Sequence, residues 1–270
     1  MENILNVIAD KTRLRIAEEE RKFPLEALKQ LIEGRKAAET ESGKALPDFY
    51  KALSKSGMSY ICEVKKASPS KGLIAPDFPY LDIALEYEAA GASAISCLTE
   101  PYWFLGSDSY AEAISSRVNI PVLRKDFTIN EYMIYQARAI GASAVLLICA
   151  ILDDAELKAY LELTHELGMH ALVEAHDENE LERALAADAG IIGVNNRDLR
   201  TFTVDTANSI RLRNLAPADK IFVSESGIKT SADIKTLYDN GVNAVLIGET
   251  LMRSKDKKAK LRELNGRRLN

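Results

Sequence analysis

The stretch EVKKASPSKG, residues 63 to 72, sets Glu63, Lys65 and Lys66 at the end of an apolar run and follows them with Ser, Pro and Gly. Other short apolar runs also end in polar groups: Thr99 and Glu100; Arg124, Lys125 and Asp126; Glu174; Asn195, Asn196, Arg197 and Asp198; Ser224 to Gly227; and Gly248 to Thr250. A single Lys or Glu in such a place is as readily a solvated strand end as a functional group. Lysines and carboxylates that converge shift one another's pKa, which general acid and base catalysis requires. A second pattern is SESGI (224 to 228) and IGET (247 to 250), where small residues leave backbone N–H groups free to cradle a phosphate. A phosphorylated small molecule is the ligand these patterns predict. PYWFLG (101 to 106) adds aromatic side chains, and Phe104 with Phe127 could sandwich an aromatic ligand. His165, His170 and His176 lack the spacing of a helix-face metal pair, so no metal is expected, although His176 lies two residues past Glu174.

The elements that must position these groups follow a repeated grammar. YEAAGASAISCLTE, QARAIGASAVLLICA, DAGIIGVNNRDL and YDNGVNAVLIGET mostly share one grammar: a Gly, then a short apolar run, then a polar turn. Runs without clean alternation suit parallel strands covered on both faces. With SYICEVKK, IPVLRKDF, LGMHALVEAHDE and KIFVSESG they make eight strands, starting near residues 59, 93, 120, 143, 169, 190, 220 and 243. Between them, segments such as 156 to 168, with Leu157, Leu161, Leu163 and Leu167, have helical spacing. The fold class predicted is α/β, a (β/α)8 TIM barrel, whose active site lies at the carboxyl ends of the strands. A doubly wound open sheet would call for a Gly-rich dinucleotide turn after a strand, and none is present. Glu63 and Lys65 share one strand face, so the charged pair is expected toward the barrel axis and Cys62 with Val64 toward the helices.

Residues 1 to 55 precede the first strand and read as an N-terminal helical extension of one barrel domain spanning 1 to 270. Within PLEALKQLIEG, Pro24 suits the first helical position, Leu28, Leu31 and Ile32 a common face, and Gly34 a stop; GKALPDF (43 to 49) is a connector. The tail KDKKAKLRELNGRR predicts a solvated helix. A net charge of -5 argues against a nucleic-acid partner. Cys62, Cys97 and Cys149 each lie in an apolar run, at spacings that fit neither a disulfide framework nor a zinc site. Acidic residues near the start and the lack of a long apolar stretch point to a soluble cytoplasmic protein with no membrane partner.

Taken together, EVKKASPSKG, the LTE and WFLGS loop, IPVLRKDF, LVEAHDE, GVNNRDL, VSESGI and AVLIGETLM resemble, in order and spacing, the indole-3-glycerol phosphate synthase family over essentially the whole chain. That resemblance implies ring closure of 1-(2-carboxyphenylamino)-1-deoxyribulose 5-phosphate with loss of carbon dioxide and water, without a cofactor, by a monomer or homodimer. It implies Lys125 as principal general acid, Glu174 as base of the later dehydration, and Glu63 as the carboxylate that supports proton transfer. It leaves the acid work divided in an open way between Lys125 and Lys65, which also matches the lysine that binds the substrate carboxylate. Asn195 and Ser226 match groups that position sugar hydroxyls, and Arg197 the arginine that holds that array. Ser68, Gly227 and Gly248 match the phosphate grip; Glu249 stands there where Ser is often found. Phe104 and Phe127 match the wall around the anthranilate ring, and Leu146 and Leu199 complete the substrate-binding set. Rival readings are another sugar-phosphate barrel, a Schiff-base aldolase using Lys125 or Lys65, and a barrel that binds without catalysing.

Overall fold

The computed structural model describes residues 4–198 and 202–266. Eight strands, β1 (Ser59–Val64), β2 (Ala94–Leu98), β3 (Val122–Lys125), β4 (Ala144–Ile148), β5 (His170–Ala175), β6 (Ile191–Asn195), β7 (Ile221–Glu225) and β8 (Ala244–Ile247), begin within two residues of the expected places. Each pairs in parallel with the next, and β8 returns to β1 to close the barrel. The apolar runs do not alternate because both strand faces are covered. Ile61, Leu123 and Leu172 fill the axis, while Cys62, Val64, Val145 and Val173 pack under the helices. The expected division of β1 therefore holds, with Glu63 on the face of Ile61.

The helices are α1 (Ile4–Lys22), α2 (Leu25–Ser42), α3 (Phe49–Leu53), α4 (Tyr80–Ala90), α5 (Asp108–Ser115), α6 (Glu131–Ala139), α7 (Asp154–Glu166), α8 (Glu178–Ala186), α9 (Ala207–Arg213), α10 (Ser231–Asp239), α11 (Glu249–Met252) and α12 (Lys257–Leu264). Their starts are written in the sequence. Asp153 and Thr230 build reciprocal capping boxes with Glu156 and Asp233, and Asn130 and Asp177 accept N–H bonds at the heads of α6 and α8. No helix among the described residues is long and apolar enough to cross a membrane.

The N-terminal extension differs from its sequence reading in detail. Gly34 does not stop a helix: α2 runs through it and ends at Gly43, whose φ of 66° gives the left-handed turn. Good helix formers follow Gly34, and Glu39 is bonded to Arg138 on α6, so tertiary contacts outweigh the roughly 1 kcal/mol cost of a helical Gly. Pro24 caps α2 rather than opening it. Leu28 and Ile32, four apart in one row, pack with Tyr132 and Met133, but Leu31 is exposed, since it lies about 100° around the helix from Ile32. The tail helix α12 is not merely solvated; Leu261 and Leu264 are buried, and Glu86 accepts the N–H groups of Lys257 and Lys258.

The short α3 was not expected. Asp48 caps it, and Phe49 and Leu53, both fully buried, plug the amino-terminal end of the barrel against Ile61, Leu123 and Ile191. Phe49→Ala should cost about 3 to 5 kcal/mol, as a large cavity in a site that cannot collapse does. Urea unfolding would show it as a lower midpoint at unchanged slope.

Candidate active site

The carboxyl ends of the strands open into a cavity of about 660 Å³ that α1 partly roofs through Leu5 and Ile8. Glu63 and Lys65, on one face of the end of β1, form an ion pair inside it. The pair fits because residue 248, at the end of β8, is Gly: a Cβ there would lie 2.2 Å from Glu63 Oε1 and 2.8 Å from Lys65 Nζ.

Lys125, the last residue of β3, is at the centre. Its Nζ lies 3.5 Å from Glu174 Oε2 on β5 and 3.5 Å from Glu225 Oε2 on β7. Burial disfavours charge on this lysine, yet Glu225, Glu174 and Glu63 outweigh it and hold the pKa above the ordinary lysine range. It is an ammonium at neutral pH. Burial also opposes charge on Glu174, but Lys125, His176 and the Asn195 bond prevail and keep it below the usual carboxylate range. Glu225 goes the other way. Burial dominates, the charges of Glu174 and Glu63 add to it against Lys125, and its pKa is pushed up to about 8. Two carboxyls therefore flank one ammonium, Glu174 held toward its ionised form and Glu225 toward its protonated one.

Glu225 was read only as part of a polar strand end. Two signals could have found it: it lies two residues after Val223, which faces the axis, and Gly193 on the neighbouring strand leaves it room. A Cβ on Gly193 would come within 2.3 Å of Glu225 Oε1.

Asn195 ties the next two strands together. Its Oδ1 accepts from Ser226 Oγ at 2.9 Å and from the Arg197 backbone N–H at 3.1 Å, and its Nδ2 points to Glu174 Oε1 at 3.5 Å. Ser226 holds this bond at a φ of 69°, a conformation that side chains rarely adopt. Arg197 thus reaches the array through its main chain; its guanidinium Nη1 donates to the Phe202 carbonyl at 3.2 Å.

At the β7 and β8 turns the charge balance inverts. Lys71, Arg197, Lys229 and Arg253 border the cavity with Gly227, Gly248 and Ser68, and Glu249 is the carboxylate among them. Ser68 belongs to a small hairpin, Ala67–Ser68 with Gly72–Leu73. Glu249 turns to Arg253 Nε at 3.0 Å and Lys71 Nζ at 3.7 Å. Burial would raise its pKa, but the Arg253 bond and the charges of Lys71, Arg253 and Arg197 hold it low. This end suits an anion, and the opposite wall suits a ring: Phe104 and Phe127 stand 6.4 Å apart, with Leu146 beside them in the same cavity. Leu199 lies outside the described residues.

Several polar strand ends serve the frame instead. Glu100 accepts the N–H groups of Tyr102, Trp103 and Phe104 and so shapes the aromatic loop. Arg124 turns to Asp108, and Asp126 joins Arg15 of α1 and Thr99. Asn196 bonds Ser224 and Ser209 beneath the site. Strand alternation explains Arg124 and Asn196, which fall on the faces opposite Lys125 and Asn195. His170 pairs with Asp48 at 3.1 Å, and His165 is exposed on α7.

The sequence profile described as indole-3-glycerol phosphate synthase matches residues 5–264. The indole-3-glycerol phosphate synthase of Endomicrobium trichonymphae is 63% identical over 221 residues, covering 82% of this chain and 86% of that protein. That of Lachnoclostridium phytofermentans is 47% identical over 266 residues, 97% of this chain and 98% of that protein. Among solved structures, a mutant tryptophan synthase α-subunit from Pyrococcus furiosus superposes with a TM-score of 0.60 at 17% identity, covering 77% of this chain and 98% of its own. The 3-hexulose-6-phosphate synthase of Salmonella typhimurium gives 0.62 at 12%, covering 77% and 97%. At such identities these two likenesses speak for the barrel alone.

Proposed function

The chain belongs to the indole-3-glycerol phosphate synthase family, and from that premise we propose that its cavity closes the pyrrole ring of 1-(2-carboxyphenylamino)-1-deoxyribulose 5-phosphate, releasing carbon dioxide and water. The observation that carries this reading is the Lys125 ammonium set 3.5 Å from both Glu174 and Glu225 at the end of an aromatic-walled cavity.

The barrier is attack of a weakly nucleophilic ring carbon on a ketone, which needs the developing alkoxide protonated or held by a cation. Lys125 supplies that proton and charge. The carbon–carbon bond forms, the ring carboxylate leaves as carbon dioxide, and the new hydroxyl leaves as water with a second proton, from Lys65 or from Lys125 once solvent has recharged it. Glu174, ionised, takes the proton whose loss completes the aromatic ring. Glu63 holds Lys65, which receives the substrate carboxylate; Lys65 lines the same cavity as Lys125 and can share the acid work. Asn195 and Ser226 position the sugar hydroxyls, with Arg197 bracing Asn195 through its main chain, and Glu225, held toward its protonated form, is suited to donate to one of them. Gly227, Gly248 and Ser68 receive the phosphate, with Glu249 turned away; Phe104, Phe127 and Leu146 receive the anthranilate ring.

A Schiff-base aldolase needs a free amine, and a lysine held as ammonium by carboxylates is a poor nucleophile. Residues 1–270 act on this reading as one domain, as a monomer or homodimer. Three buried cysteines, none of them paired, support a reducing, cytoplasmic compartment. The test is direct: with the carboxyphenylamino-deoxyribulose phosphate added, indole fluorescence should rise in proportion to enzyme. A folded sample that gives no rise, or that borohydride traps on its substrate, would overturn the reading.

A further inference from the structure

His176 is a partly buried titratable group that the chemistry above does not use. It lies two residues past Glu174, where β5 hands over to α8, and three bonds fix it. Its backbone N–H and its Nδ1 both meet Glu180 Oε2, at 2.8 and 3.0 Å, and its carbonyl accepts from Asn208 Nδ2 at 3.0 Å. Glu180 is itself fixed, because its N–H bonds the α8 cap Asp177 at 2.9 Å. The ring is thereby aimed. Its Nε2, shielded from solvent and without a hydrogen-bond partner, faces Glu174 Oε1 at 3.4 Å.

A ring between two carboxylates has one favourable form. With Nδ1–H directed at Glu180, a neutral imidazole would turn the Nε2 lone pair toward the Glu174 carboxylate; only the imidazolium offers an N–H to each side. We propose that His176 is a positioning residue for the base: Glu180 anchors the imidazolium, and the imidazolium holds one oxygen of Glu174 while the other faces Lys125. This rests on the reading of Glu174 as base.

The surrounding charges agree. Burial pulls the His176 pKa down, but the Glu180 bond and the charges of Glu174, Glu180 and Glu225 raise it to about 9. The groups that face it are Glu174 on β5, Glu180 on α8 and Glu225 on β7, with Lys125 of β3 beyond Glu174. Arg183 of α8 is turned away to Asp154 and to the carbonyls of Cys149 and Leu152, and Asn208 of α9 is neutral. The sign for catalysis follows. Glu174 works ionised, so activity falls as pH drops through its pKa, which lies low while two cations flank it. Without the imidazolium that pKa rises, and the acid limb of the pH profile moves up.

The experiment compares full-length wild type, His176→Asn and Glu180→Gln by turnover against pH and by the 15N resonances of the His176 imidazole. Wild-type His176 should remain doubly protonated well above the ordinary histidine pKa and titrate lower in Glu180→Gln. His176→Asn should lose about tenfold or more in kcat, hold KM within about threefold, and shift the acid limb up by about one pH unit. Glu180→Gln, which preserves the cap and the side-chain shape, should move the limb the same way by less. A wild-type imidazole that titrates near its ordinary value overturns the proposal, as does a folded His176→Asn whose kcat and acid limb are unchanged, or whose loss is in KM alone. Because the imidazole is read without turnover, failure of the proposed reaction and failure of this contact give different results.

Discussion

Lys125→Ala is expected to lower kcat by about a thousandfold or more, with affinity for a non-reacting analogue carrying an alcohol in place of the ketone held within about tenfold. The size follows from the neighbours. Lys125 is the cation shared by Glu174 and Glu225 and within electrostatic reach of Glu63. Removing it withdraws the proton donor and also leaves buried carboxyls facing one another, so that the pKa of the base rises. Acid and base are weakened together. Binding survives because the phosphate end has its own cations, Lys71, Arg197, Lys229 and Arg253, and the ring wall is apolar. Single-turnover fluorescence against analogue titration separates the two effects. Near-normal turnover would move the acid role from Lys125 to Lys65.

The barrel was legible because each of its rules is local. A Gly past a helix, an apolar run buried on both faces and a polar turn recur strongly enough to fix eight strands. Part of the candidate site was legible by the same logic: alternation turned Glu63 with Lys65 toward the axis, and Lys125 closed an apolar run at the carboxyl end of its strand. What the sequence hid depends on contacts across the chain. Thr99, Glu100 and Arg124 look like polar groups of the mouth, but Asp126, the aromatic loop and Asp108 claim them, and a single strand does not announce its partners. Glu225 was concealed by its setting among small turn residues, and the meaning of Gly193 becomes visible only when β6 and β7 are side by side. Gly34 misled for the opposite reason. It is a local stop signal that the contacts of Glu39 with Arg138 override.

Glu174→Gln is expected to lower indole formation by about a hundredfold to a thousandfold while leaving the first chemical step largely intact. Gln keeps the shape and can still meet Asn195, but it removes the group that accepts the final proton. If Glu174 acts only in the dehydration, a first turnover should release carbon dioxide promptly and indole product slowly. Following labelled carbon dioxide and indole fluorescence in the same quenched samples reads the two steps apart. The charges make a further statement. Lys125 loses one of the carboxylates that hold it protonated, so its pKa falls and it becomes a stronger acid. Glu225 loses a repelling neighbour and titrates below its present value of about 8. The first step should therefore be no slower than in wild type, and its alkaline limb should move down in pH, since a Lys125 with a lower pKa gives up its proton sooner. Carbon dioxide and indole slowed equally would instead place Glu174 in ring closure itself, where its 3.5 Å approach to Lys125 would serve to aim the acid rather than to receive a proton from the product.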